Sequence, residues 1–351
     1  MGTISFLLVL SVLVFIHELG HYSVAKFYGV TVYDFSIGFG KKLFTKRFFN
    51  TNWSLSLIPL GGYVRMKGQE DLNPSMQNMD DDSYNRLSPF QRIMILLAGP
   101  GANFLLAFVL YILVYLMPHQ TLGATIGKVI PNSSAYNVGL KKGDTITQIN
   151  DTKIVSWQDM SNIIASSNSS MKFYVLRDGV KKYFLINTKL TDTKNMFKEN
   201  IKKRMIGIAP NGTIVTVSYS LIDSIIHAYN STIQSSKMIF QGVQKLISGV
   251  VPHSEVGGVI SIGKVISDAS NSGIVSLFLI SALISVNLGV LNLLPIPALD
   301  GGHIMFNLYE MITKRKPNQK VLIQLTIMGW VILFALMALG LYNDINRFLK
   351  G

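Results

Sequence analysis

Four apolar runs, each long enough to cross a bilayer, constrain this chain more than any other feature of its sequence. A helix needs about 20 apolar residues to span the hydrocarbon core of a membrane. Charged residues make up only 15% of the chain, whereas soluble domains carry about 25%. The sequence therefore predicts an α-helical integral membrane protein with about four transmembrane helices, at residues 4–25, 93–117, 274–294 and 321–342.

The distribution of positive charge predicts how these helices are oriented. The chain has a net charge of +13, and Lys and Arg collect in the short cytoplasmic loops of membrane proteins. Residues 28–91 and 303–320 are both rich in Lys and Arg, so we expect them in the cytoplasm and residues 118–273 outside it. No basic stretch forms a recognisable nucleic-acid-binding module, and we expect no nucleic-acid partner.

The loops between the runs divide the chain into segments of different character. Short apolar strands near residues 126–130, 145–149 and 173–176, with a helix at 156–166, predict a small α+β domain. Apolar residues at helical spacing in 219–248 predict an amphipathic helix. The predicted segments are a first membrane half (1–121), an extracytoplasmic α+β domain (122–190), a linker with the amphipathic helix (191–273) and a second membrane half (274–351).

The first apolar run contains the motif HELGH at residues 17–21. Positions i and i+4 share one face of a helix, so His17 and His21 can reach one metal ion, and Glu18 can reach a water bound to it. Ionisable groups inside a membrane helix cost several kcal/mol unless they are partnered, and a metal supplies that partner. The chain has no cysteine, so any metal must be held by His, Asp and Glu.

A hydrolytic zinc site takes three protein ligands and leaves one position for water, so a third ligand is needed. The best candidate is Asp300 in the motif NLLPIPALDGG, the first acidic residue after the third run. The two prolines break the helix there. By spacing alone Asp300 could equally be the N-cap of the next helix, and the need for a third ligand favours the metal site.

Together these motifs resemble the site-2 protease family of intramembrane zinc metalloproteases, including the branch that regulates sigma-E in bacteria. The similarity extends through most of the chain and also covers LIPLGGYV at residues 57–64, AGPGAN at 98–103 and GGVISI at 257–262. In AGPGAN we expect Gly99 and Asn103 to serve close packing and hydrogen bonding between spans.

The resemblance implies a set of functional residues. Zn²⁺ would be held by His17, His21 and Asp300, with Glu18 as the catalytic base. A membrane-associated β-hairpin loop, predicted around residues 58–66, would present an edge to an extended substrate. The substrate-binding residues implied are Asn292, Pro295, Pro297, Leu60, Gly61, Gly62 and Tyr63. Two structural alternatives stay open: Asn292 could be a helix-packing amide, and the hairpin could be purely structural.

Residues 129–150 resemble a protease-type PDZ domain, a fold that binds extended peptides at a sheet edge. The family implies a multi-pass protein of the bacterial inner membrane, with the PDZ domain outside the cytoplasm. Its expected partners are single-span membrane proteins, remnant signal peptides and membrane lipid. Two other functions stay open on the residues alone: a non-catalytic PDZ-bearing scaffold and a metal transporter.

Overall fold

The computed structural model describes residues 2–69, 79–167, 170–195, 197 and 199–350, and the backbone alone at residues 59 and 60. The helices are α1 (Gly2–Phe27), α2 (Pro89–Leu116), α3 (Ser134–Asn137), α4 (Trp157–Ser166), α5 (Leu221–Ile247), α6 (Val259–Asn271), α7 (Ile274–Asn292), α8 (Asp300–Thr313) and α9 (Gln319–Lys350). The strands are β1 (Val32–Phe48), β2 (Thr51–Met66), β3 (His119–Leu122), β4 (Ile126–Val129), β5 (Thr145–Ile149), β6 (Thr152–Lys153), β7 (Met171–Arg177), β8 (Val180–Ile186), β9 (Lys189–Lys194), β10 (Asn200–Met205), β11 (Ile208–Pro210) and β12 (Ile214–Val217).

Two compact units make up the fold. The first comprises Met1–Val114 and Leu221–Gly351, and the second comprises Tyr115–Ser220. Among the described residues, four helices are long and apolar enough to cross a membrane: α1, α2, α7 and α9. These coincide with the four predicted runs and confirm a multi-pass helical membrane protein.

The first unit is built around α1, which packs closely against α2. A Cβ atom added at Gly20 would lie 2.2 Å from the carbonyl oxygen of Ala98, so the two helix backbones almost touch there. Small residues allow this approach between membrane helices. On another part of α1, Val9 and Leu13 are buried together with Ile266 of α6. Both contacts fix the position of α1 within the unit.

The carboxylate of Asp344 holds α6 in place from the far end of α9. This side chain is buried and accepts hydrogen bonds from the backbone N–H groups of Gly258, Ile260 and Ser261, each at 3.0 Å. These are N–H groups at the start of α6, which have no partner within the helix. Asp344 therefore caps a helix that is distant in sequence and ties α9 to α6.

Strands β1 and β2 form one continuous sheet. The turn between them lies at Phe49 and Asn50, which both have positive φ. The hairpin predicted around residues 58–66 is therefore placed differently, because those residues all lie within β2. Ser36 of β1 faces Tyr63 in the register and also faces Ser54, so the first half of β1 has partners in both halves of β2.

The second unit is an α+β domain with a sheet of order β6-β5-β7-β8 and a core of buried side chains from these strands and α4. Ser156 caps α4 in a reciprocal capping box with Asp159. The unit extends beyond the predicted 122–190 segment at both ends. The reason is long-range pairing, since β11 returns to β4 and β12 returns to β3.

The segment predicted as an amphipathic helix forms α5 in the first unit. Its Ser224 and Ala228 are buried, while apolar side chains such as Ile222 and Phe240 are exposed. The hydroxyl groups of Ser235 on α5 and Tyr111 on α2 lie 2.9 Å apart and form a hydrogen bond. Thus α5 is attached directly to a membrane-spanning helix.

Candidate metal centre

Three side chains predicted as metal ligands converge in the structure. The Nε2 atoms of His17 and His21 are 3.2 Å apart, and Oδ2 of Asp300 lies 3.3 Å from the first and 3.5 Å from the second. Zinc binds His and Asp at about 2.0–2.2 Å with tetrahedral geometry, which separates its ligand atoms by about 3.3–3.6 Å. Within the described residues this is the one group of His, Asp or Glu side chains spaced to hold a metal ion.

The chemistry of this group also fits a cation. Oδ2 of Asp300 is buried and has no hydrogen-bond partner among the described residues. A buried carboxylate oxygen without a partner is costly, and a metal ion is one of the few partners that removes the cost. Because the Nε2 atoms of both imidazoles lie within 3.5 Å of this oxygen, a divalent cation between the three atoms would satisfy all of them together.

Helix α1 and its neighbour α2 position the two histidines. The i, i+4 spacing places both rings on the same face of α1, as predicted. Nδ1 of His21 lies 2.8 Å from the carbonyl oxygen of Ile95 on α2. A Cβ atom added at Gly99 would lie 2.2 Å from Nε2 of His21. Gly99 therefore makes room for the ring, and Ile95 fixes its rotation.

A sharp turn between α7 and α8 brings Asp300 to the histidines. Asp300 is the first residue of α8, whereas Leu299 occupies the N-cap position. The alternative prediction that Asp300 is an N-cap is therefore wrong, and its carboxylate is free to face the centre. A Cβ atom at Gly301 or Gly302 would come within 2.4 Å of backbone atoms in the preceding turn. Only glycine lets α8 begin so close to that turn.

Glu18 lies beside the three converging side chains. It interacts electrostatically with all of them. A Cβ atom added at Gly62 of β2 would lie 3.2 Å from Cγ of Glu18 and 2.9 Å from Val14. The strand therefore passes directly over the part of α1 that carries Glu18, which brings a carboxylate and a strand backbone together next to the candidate metal centre.

The other predicted substrate-binding residues fall in two places. Asn292 is the last residue of α7; Pro295 is exposed and Pro297 is buried in the following turn. In β2, Gly61 has φ +111° and packs under the ring of Phe39. The ring of Tyr63 is stacked on the same Phe39. Leu60 belongs to β2, but its side chain lies outside the described part of the chain. Their role in substrate binding stays a prediction.

The structure adds Asn103 of α2 to the surroundings of the centre. Its Nδ2 atom lies 3.2 Å from Nδ1 of His17. The sequence indicated hydrogen bonding between spans at Asn103 but gave no partner, because nothing local shows which residue of another helix it meets.

Comparison with known proteins agrees with this geometry. Peptidase family M50 matches residues 5–336. "Putative zinc metalloprotease Cj1068" of Campylobacter jejuni is 44% identical over 97% of this chain and 92% of its own length. A "Putative zinc metalloprotease" of Helicobacter pylori is 37% identical over 97% of this chain and 98% of its own length. "Metalloprotease MmpA" of Caulobacter vibrioides is 33% identical, over 98% and 95%. The resemblance to site-2 proteases is thereby confirmed, and the chain belongs to Peptidase family M50.

Proposed function

We propose that this chain is an intramembrane zinc endopeptidase. It hydrolyses peptide bonds within the transmembrane segments of single-span membrane proteins, including remnant signal peptides. One observation carries the proposal: three ligand atoms, spaced as zinc requires, converge beside a carboxylate on a helix apolar enough to span a membrane. The names of the relatives as metalloproteases support both the metal and the reaction.

The residues of the centre divide the chemistry between them. His17, His21 and Asp300 hold zinc. When bound, zinc would supply Lewis-acid chemistry for the attacking water and the scissile carbonyl. Glu18 takes a proton from the attacking water and passes it to the leaving amine. The Asn292 side chain donates a hydrogen bond to the substrate backbone or to the developing oxyanion.

The substrate binds in extended form along β2, because a peptide bond inside a helix is shielded from attack. Within the described residues, the segment 62–66 pairs with β1 through one edge only. A free edge can accept another strand by backbone hydrogen bonds. Gly62 is the first residue of this segment and packs against Glu18. A strand added at this edge therefore passes next to the catalytic base. Leu60, Gly61 and Tyr63 then contact the substrate.

The second unit is a PDZ domain that binds extended peptides outside the cytoplasm. Its support is a groove between α4 and residues 203–208. Apolar side chains from both walls line the groove, among them Met160, Ile164 and Ile206. Filling it with Ser161→Phe is expected to weaken binding of an extended peptide to the full chain at least tenfold without changing zinc affinity. Equal peptide affinity in the two proteins would contradict this assignment.

The chain would reside in the bacterial inner membrane, in contact with lipid. The first test uses purified full-length protein in liposomes with a single-span substrate. Glu18→Gln is expected to keep zinc content within about twofold of wild type and to lower cleavage at least 10³-fold, because the base is lost and the ligands remain. Undiminished cleavage by the variant would overturn the mechanism. Zinc binding without cleavage by the wild type would favour the scaffold alternative.

A further inference from the structure

The side chain of Asn103 has an unusual hydrogen-bonding environment. The residue is completely buried, and its Nδ2 atom lies 3.2 Å from Nδ1 of His17. Its Oδ1 atom is buried and has no hydrogen-bond partner among the described residues. One of the two amide atoms lacks a partner whichever way the amide is turned, so the choice between the two orientations depends on what faces His17.

The second histidine shows what a ligand in this site needs. Nδ1 of His21 faces the carbonyl oxygen of Ile95 at 2.8 Å. A carbonyl oxygen only accepts hydrogen bonds, so Nδ1 carries the proton and Nε2 keeps a lone pair for a metal. Metal-binding histidines generally donate their other ring N–H to such an acceptor. His21 is therefore held by α2 in the tautomer that binds metal.

His17 requires the same tautomer, and the group at its Nδ1 atom is the Asn103 amide. If the NH₂ group faces Nδ1, the ring must carry its proton on Nε2, where it cannot bind zinc. If Oδ1 faces Nδ1, the ring proton lies on Nδ1 and Nε2 is available. The two amide orientations have the same shape, and the hydrogen-bond network decides between them.

We propose that Asn103 is a positioning residue for the zinc centre. With its amide turned over, so that the oxygen and nitrogen exchange places, its Oδ1 atom accepts a hydrogen bond from Nδ1–H of His17 and so fixes the imidazole in the tautomer that binds zinc through Nε2. The inference rests on the proposed zinc site. It extends that site by one residue, which contacts a ligand and neither the substrate nor the metal.

The backbone of Asn103 is held separately from its amide. Ser285 of α7, also completely buried, donates a hydrogen bond from its hydroxyl to the backbone carbonyl of Asn103 at 2.8 Å. Removing this hydroxyl disturbs the packing of α2 on α7 without changing what His17 meets. Ser285→Ala is therefore a matched control for the structural part of the role of Asn103.

The experiment measures zinc affinity of the purified full-length protein in detergent by competition with a chelator. Asn103→Leu has a similar size but no acceptor, and we expect its zinc affinity to fall 10- to 100-fold. Asn103→Asp keeps an acceptor, and we expect affinity within about threefold of wild type, or tighter. Ser285→Ala is expected to lower the unfolding temperature and to leave zinc affinity within threefold.

Two results would overturn the inference: zinc affinity in Asn103→Leu equal to wild type, or Asn103→Asp as weak as Asn103→Leu. If the Leu variant does not fold, ¹⁵N-histidine NMR of the zinc-loaded wild type decides. A proton on Nδ1 of His17 supports the inference, and zinc bound through Nδ1 contradicts it. A wild type that binds no zinc at all would instead defeat the proposed function, so the two failures are distinguishable.

Discussion

Gly99 of α2 packs directly against the imidazole of His21: a Cβ atom at this glycine would lie 2.2 Å from Nε2 and 2.5 Å from Cε1 of the ring. No real Cβ atom comes this close, so any side chain at this position must displace the ring or separate α1 from α2. The position of the His21 ring on α1 therefore requires that residue 99 of α2 has no side chain.

Gly99→Ala is therefore expected to weaken zinc binding at least tenfold, because the ring of His21 must leave its position. Chelator competition on the purified full-length protein measures the change. Gly101→Ala is the matched control, since a Cβ atom at Gly101 of the same helix meets nothing within 4 Å. The control should bind zinc as the wild type does. Equal affinities in the two variants would show that Gly99 does not limit the ligand geometry.

The close approach of Gly62 to Glu18 provides a test that distinguishes zinc binding from substrate cleavage. A Cβ atom at Gly62 would lie 2.7 Å from the carbonyl oxygen of Ser36 and 3.2 Å from Cγ of Glu18. We expect Gly62→Ala to move β2 away from the base and to reduce cleavage of a single-span substrate at least tenfold. Zinc affinity should stay within threefold, because no ligand is touched. A parallel loss of zinc and of activity would contradict this division of roles.

Local sequence patterns predicted the parts of the centre that lie on single elements. The i, i+4 spacing gave His17 and His21, and the run of apolar residues around them gave the span. Asp300 required an argument from ligand number, because its contact with α1 joins segments at opposite ends of the chain. No sequence pattern predicts the contact between His21 and the carbonyl oxygen of Ile95, since a residue of any type has a backbone carbonyl.

In the sheets, too, features set by local sequence were predictable and features set by long-range pairing were not. Asn and Asp adopt positive φ more readily than most residues, so the turns at Asn150 and Asp178, where both residues have positive φ, were predictable from residue type. The turn at Phe49 was not, because Phe seldom adopts positive φ. The full extent of the second unit depends on β11 and β12 returning to earlier strands, and strands of three or four residues carry little periodic signal.

The Asp344 cap provides a prediction about stability. Asp344→Asn removes the negative charge from the group that accepts hydrogen bonds from three backbone N–H groups at the start of α6. We therefore expect a loss of about 2–3 kcal/mol in the local stability of α6. Hydrogen exchange of the α6 amides in the full-length protein measures it. Asp268→Asn, at an exposed position on α6, is the control and should change exchange little. Unchanged protection of α6 in Asp344→Asn would show that other contacts hold this helix.

The second unit contains a buried ion pair whose stability depends on pH. Arg177 donates to both carboxylate oxygens of Asp144, at 2.6 and 2.7 Å, and Asp144 is completely buried. Burial by itself raises the pKa of Asp144. The hydrogen bonds from Arg177 and from the backbone N–H of Lys141 outweigh that effect and hold the pKa below its ordinary value. The pair is therefore charged throughout the neutral range.

A carboxyl group whose pKa is lower in the folded state stabilises the fold above its unfolded pKa, about 3.9 for Asp. We expect the stability of the second unit to be constant from pH 7 to about pH 5 and to fall as the pH drops further.

Trp157 fluorescence reports unfolding of this unit when Trp53 and Trp330 are replaced by Phe. Arg177→Met in that background is expected to lose about 3–5 kcal/mol at pH 7, because it leaves a buried charge unpaired. Asp144→Asn should lose stability at pH 7 and show a weaker decline in acid, because the titrating group is gone. A decline in acid as steep in Asp144→Asn as in its parent would assign the pH dependence to other carboxyl groups.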